Sequence, residues 1–156
     1  MWNGNRSVTH AASLLAVLCA LVLLVPAAQA AERVALVIGN DTYDTLPALN
    51  NARADARGMA EKLRSLGFEV ILKLDAGRRS FGRALAEFEG KAADAEVGLV
   101  FYAGHGIQSG GSNYIVPSDA QIEAEEDLRY EGLDYQDLLE AMKRAGTRLN
   151  IVILDA

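Results

Sequence analysis

The chain has 156 residues, enough for one domain with a sizeable core. It is 51% hydrophobic and carries a formal charge of −6. So acidic a chain is a poor match for nucleic acid or anionic lipid, and suits a globular domain whose charged partners are basic.

Residues 1–30 read as a secretory signal peptide. Arg6 makes a positive start, Ala11 to Val25 is an apolar run broken only by Ser13, and Pro26 is a helix breaker. Ala28-Gln29-Ala30 then supplies a small-x-small cleavage site, placing the cut after Ala30. The run is shorter than the ~20 residues a spanning helix needs, and Glu32 and Arg33 follow at once. An exported protein is expected, periplasmic or secreted, with no membrane attachment once the leader is removed. Cys19, the one cysteine, lies inside this leader, behind a Leu18 too bulky for a lipidation motif. Residues 31–156 therefore hold no thiol and no disulfide. One of the fifteen basic residues, Arg6, belongs to the leader, so fourteen remain against twenty-one acids, a net charge of −7.

Arg33 to Ile38 is a continuous apolar run closed by Gly39-Asn40-Asp41, as in a central parallel strand entering a loop. That loop, with Pro47, runs to about Asn50 and lacks the glycine spacing of a phosphate-binding turn. Ala52, Ala56, Met59, Ala60, Leu63 and Leu66 then form one helical stripe, capped by Asn50 or Asn51 and stopped by Gly67. A second strand is expected over 68–72, and a helix over 80–93 with Phe81, Leu85, Phe88 and Ala92 inward. The third strand, 96–102, ends in Gly104-His105-Gly106. Asn113 to Pro117 reads as an extended segment or edge hairpin. Residues 118–133, with Glu123, Glu125, Glu126 and Asp127, read as a solvated acidic loop. Asp134 caps a last helix that ends at Gly146, and Leu149 to Leu154 is a final strand leading to Asp155 and Ala156.

This alternation predicts an α/β fold, with a mostly parallel sheet and helices on both faces. The strands' carboxyl ends share one rim, where such sheets place their sites. Asn40 and Asp41, His105, and Asp155 would all reach that rim. His105 is the only histidine outside the leader and a credible general base. It lacks a nucleophile: there is no thiol, and Ser109 and Ser112 sit in a Ser-Gly-Gly-Ser tract that reads as a loop. One histidine is too few for a zinc site. Residues alone leave open a binding module or a small-ligand domain.

Phe101-Tyr102-Ala103-Gly104-His105-Gly106 resembles the histidine motif of the caspase-like cysteine peptidases, in their bacterial metacaspase-like branch. Arg33 to Asn40, the helix start Asn51 to Ala56, and Ile151 to Ala156 resemble the opening and the Asp-Ala-Cys strand of the same domain. The likeness spans about residues 32–156. It implies a caspase-like three-layer sandwich and a p20-type catalytic domain. In that family the nucleophilic cysteine lies about 50 residues after the histidine. The position after Ala156 is 52 beyond His105, so the sequence is expected to stop one residue short of it. A fragment is therefore expected, inactive by itself and with apolar sheet surface uncovered.

For the complete protein the resemblance implies an endopeptidase cleaving after Arg or Lys. His105 is then the general base and the Gly106 backbone part of the oxyanion hole. Asp55 and Asp155 line the pocket for the basic side chain of a peptide or protein substrate. Ala103 stands where members often have a serine, which removes one pocket contact. Some members use calcium, but no ligand set is matched in 118–134 and no cofactor or metal is assigned. The alternative is a caspase-fold module that binds without cleaving.

Overall fold

The computed structural model describes residues 32–156, so the expected leader, with Cys19 and the cut after Ala30, lies outside the described residues. Four parallel strands form the main sheet: β1 (Arg33–Gly39), β2 (Glu69–Leu74), β3 (Val97–Ala103) and β7 (Leu149–Asp155), in the order β2-β1-β3-β7. In β1 and β3 successive side chains bury on opposite faces, which is why both strands are apolar without interruption. Val34, Leu36, Ile38, Val100 and Tyr102 face one way; Ala35, Val37, Leu99, Phe101 and Ala103 face the other.

Helices α2 (Arg78–Ala92) and α4 (Tyr135–Ala145) cover the first face with Phe81, Phe88, Leu138 and Met142. Helix α1 (Ala52–Ser65) covers the second through Ala52, Ala56, Ala60 and Leu63. The result is the three-layer sandwich expected. The small alanine stripe of α1 lets it lie close to β1. A Cβ at Gly39 would collide with the Ala52 carbonyl and come 2.6 Å from Ala56 Cβ, so only glycine permits this approach.

Several local features differ from the sequence reading, and both helix starts do so through a long-range partner. α1 is not capped by an asparagine side chain: Asp41 Oδ1 accepts the Arg53 N–H at 3.1 Å. α2 begins at Arg78, whose N–H donates to Asp119 Oδ1 at 2.7 Å across 41 residues. The Ser-Gly-Gly-Ser tract is a two-residue hairpin turn joining β4 (Gly106–Ser109) to β5 (Ser112–Ile115), with φ +57° and +87° at the two glycines. The acidic stretch is not an open loop. It carries a 3₁₀ turn (Glu125–Asp127), helix α3 (Leu128–Glu131) anchored by buried Leu128, and strand β6 (Leu133–Asp134) beside β5. Asp127 accepts the N–H groups of Ala124 and Glu123, and those bonds hold its carboxyl below the usual range. Asp134 caps α4 through the Gln136 N–H, as read, and Gly146 ends it at φ +72°.

Among the described residues β7 pairs with β3 alone. It leaves Leu149, Ile153 and Leu154 at 52%, 37% and 44% exposure, the uncovered apolar surface expected of the last strand.

Candidate active site

The parallel register sets Gly39, Ala103 and Asp155 side by side on one rung at the carboxyl rim. The ladder continues one step further: Asn40 N–H donates to the Ala103 carbonyl at 3.0 Å and Gly104 N–H to the Asp155 carbonyl at 3.1 Å. Asn40 and His105 both follow from this rung.

Asn40 does not face a ligand. It is fully buried, and its amide donates to the carbonyls of Ala76 (3.4 Å) and Val116 (3.3 Å) while accepting the Ala76 N–H at 2.8 Å. It ties the loops after β1, β2 and β5 together. Asp41 is likewise committed, to the start of α1. Asp75, at φ +48°, fixes the loop from the other side. It accepts the N–H groups of Asp41 (2.9 Å) and Thr42 (3.1 Å) and pairs with Arg53 at 3.1 Å. Burial pushes its carboxyl up, but those donors and the Arg53 charge together bring it below its ordinary value.

His105 sits half-buried in the frame this loop makes. Its N–H donates to Tyr43 Oη at 2.9 Å, and its carbonyl accepts from Tyr102 Oη at 2.9 Å. The Tyr43 ring packs on the imidazole at 4.6 Å between centroids, tilted by 55°. Nε2 lies 2.8 Å from the Pro47 carbonyl oxygen. A carbonyl only accepts, so Nε2 carries the hydrogen, and in the neutral ring Nδ1 is left as the acceptor. That is the tautomer a general base at Nδ1 needs. Burial pushes both tyrosine hydroxyls above their usual range, so both stay protonated. Gly104 is required where it stands: a Cβ there would lie 2.6 Å from Tyr43 Oη and closer still to Tyr102 Oη. Gly106 faces the chain's last residue, and a Cβ on it would sit 3.0 Å from Ala156 Cβ.

The two carboxylates read from the sequence come together. Asp55 and Asp155 line one open cavity of about 380 Å³ with Asn51, Leu49, Ala103 and Gly104. Among the described residues neither carboxylate has an ion-pair partner, and nearby Arg53 is engaged by Asp75. Two unpaired acids at one cavity favour a bound cation, and Ala103 adds no hydroxyl to its wall. A smaller cavity of about 260 Å³ opens on the opposite face, against Tyr102, Ile115, Tyr135 and Leu154, as strand alternation requires. Ser109 is no nucleophile for His105; its hydroxyl donates to Glu125 at 2.6 Å on the far end of β4. Among the described residues no three His, Cys, Asp or Glu side chains converge as a metal site would need.

Pro47, Tyr43 and Tyr102 escape sequence reasoning. Pro47 reads only as a loop residue and Tyr102 only as core. Pro47 and Tyr43 meet His105 across 58 and 62 residues, so no local spacing announces either contact.

A family model described as Caspase domain matches residues 32–156, every described residue. The chain belongs to the caspase-domain family. The mucosa-associated lymphoid tissue lymphoma translocation protein 1 of Homo sapiens and its Mus musculus homolog are each 35% identical to this chain over 127 residues. That match covers 81% of this chain but 15% of each relative, so the chain spans a small part of their length. Two solved structures share the fold. The Drosophila initiator caspase Dronc superposes with a TM-score of 0.64 at 12% identity, over 81% of this chain and 49% of that one. Protein GSU0716 from Geobacter sulfurreducens gives 0.61 at 18% identity, over 79% and 50%. The caspase fold expected from the three motif blocks is thus established, and His105 stands on its central rim.

Proposed function

We propose that the complete protein is a cysteine endopeptidase cleaving after Arg or Lys, and that this chain carries its histidine and its basic-residue pocket. The supporting observation is the rung Ala103–Asp155 with His105 on one side and the Asp55–Asp155 cavity on the other. In this reading a cysteine follows Ala156, which lies against the histidine loop: a Cβ on Gly106, next to His105, would come 3.0 Å from Ala156 Cβ. The motif blocks support a bacterial metacaspase-like peptidase, and the leader supports export of its mature form.

In this reading Nδ1 of His105 takes the thiol proton, and the thiolate attacks the carbonyl carbon of the basic residue. The backbone N–H groups of Gly106 and the cysteine receive the developing oxyanion. The imidazolium then returns the proton to the leaving amine, and water releases the acyl group. Nε2, held on Pro47, keeps the ring from turning its protonated nitrogen toward the thiol. Asp55 and Asp155 hold the guanidinium or ammonium by charge-assisted hydrogen bonds.

The test uses the full-length protein with fluorogenic peptides ending in Arg, Lys, Asp or Leu. Cleavage after Arg and Lys only is expected, abolished by His105→Ala. Asp55→Asn and Asp155→Asn should each raise KM for Arg peptides by about tenfold, as losing a charge-assisted bond does. No turnover of any peptide would mean that the domain binds without cleaving. Cleavage after Asp or Leu would refute the carboxylate pocket.

A further inference from the structure

We infer that Tyr43 and Tyr102 form a clamp on the main chain of His105, with Tyr43 the positioning residue for the imidazole. The catalytic consequence rests on the peptidase reading above; the clamp itself does not. A histidine between two glycines has unusual backbone freedom, and a base that wanders loses its alignment with the thiol. Here a phenol meets each main-chain polar atom of His105, and the carbonyl also accepts the Val116 N–H at 3.1 Å. The N–H donates to Tyr43 Oη and the carbonyl accepts from Tyr102 Oη, each at 2.9 Å.

The clamp is anchored in the core. Tyr43 passes its own hydrogen to the Asn40 carbonyl at 3.1 Å, and Asn40 is locked onto Ala76 and Val116. Tyr102 is fully buried, and its single hydroxyl hydrogen is shared between the carbonyls of His105 (2.9 Å) and Val116 (3.1 Å). A chain of hydrogen bonds therefore runs from the catalytic loop into the ends of β1 and β5. The Tyr43 ring adds a second constraint: packed on the imidazole, it limits the ring's swing, while Pro47 sets its tilt. Tyr43 lines neither rim cavity, so it bears on the geometry of the base and not on the substrate.

Tyr43→Phe deletes the hydroxyl and keeps the ring; Tyr43→Leu deletes both. In the full-length protein with an Arg peptide, the Phe variant should lose about fivefold in kcat with KM unchanged, the value of one hydrogen bond. The Leu variant should lose clearly more kcat, again without a KM change. Equal kcat in wild type and Leu variant would overturn the clamp's catalytic role, as would a loss confined to KM. A second arm needs no activity. Nitrogen-15 NMR of the His105 ring in this 156-residue chain should show the Nε2–H tautomer, with a growing Nδ1–H share in the Leu variant. Amide hydrogen exchange at His105 should quicken in both variants. Unchanged tautomer and exchange would refute the clamp. Absent turnover in the wild type would refute only the peptidase reading.

Discussion

Replacing Gly104 by alanine asks whether the histidine loop is held by sterically matched parts. The new Cβ would come 2.6 Å from Tyr43 Oη and closer to Tyr102 Oη, where real Cβ atoms keep at least about 3.0 Å. Tyr102 is fully buried and its rigid ring has no room to withdraw. The substitution therefore breaks the bond His105 N–H donates to Tyr43 and the bond Tyr102 donates to the His105 carbonyl, at about 1 kcal/mol each, and adds about 1–3 kcal/mol of overpacking. A loss of about 3–5 kcal/mol follows. In a domain of this size 1 kcal/mol moves Tm by about 4 °C, so Gly104→Ala should melt about 12–20 °C below wild type. The comparison is Gly58→Ala, in the middle of α1, where a Cβ meets nothing within 4 Å. It should gain about 0.8 kcal/mol from helix propensity and melt slightly higher. Thermal denaturation followed by circular dichroism measures both. If Gly104→Ala and Gly58→Ala melt within 2 °C of each other, on the scale of that size relation, the close approach at Gly104 is not real.

Asn40→Ala should cost about 3 kcal/mol, because two carbonyls and the Ala76 N–H lose their buried partner together; urea denaturation would read it, and a loss under about 1 kcal/mol would refute the bracing role. Asp75→Asn should destabilise at pH 7 by about 1 kcal/mol, discounted for the exposure of Arg53. Asp75 titrates lower folded than unfolded, so its stabilisation is present above its ordinary value of 3.8 and lost as pH falls through the lowered value. The gap between the variant and wild type should thus be full at pH 7 and close in acid. A gap that widens on acidification would contradict this sign.

Much of the fold was legible in the sequence because its elements are locally encoded. Unbroken apolar runs in β1 and β3 mean burial on two faces, and the alanine stripe of α1 means close packing on one. Strand ends put His105 and Asp155 at one rim and the family's motif blocks added Asp55, which lines one cavity with Asp155. The errors lay where the partner is distant. Asn40 and Asp41 look like rim ligands by position, yet one is a buried brace and the other caps a helix 12 residues on. The acidic stretch is solvated, as its composition says, with Glu123, Glu125 and Glu126 exposed, yet it is not a loop: it carries a short helix anchored by buried Leu128.

The sequence by itself determined the order of the main-sheet strands and their covering helices, the acidic charge, the family, and His105 as the candidate base. Periodicity and short motifs are local, and one chain states them fully. The tertiary structure alone decided which nitrogen of His105 is free to accept a proton. That depends on the Pro47 carbonyl and the Tyr43 ring, brought from about 60 residues away by the pairing of β1 with β3. Contacts closed over such loops are set by packing, and no spacing within the motif encodes them.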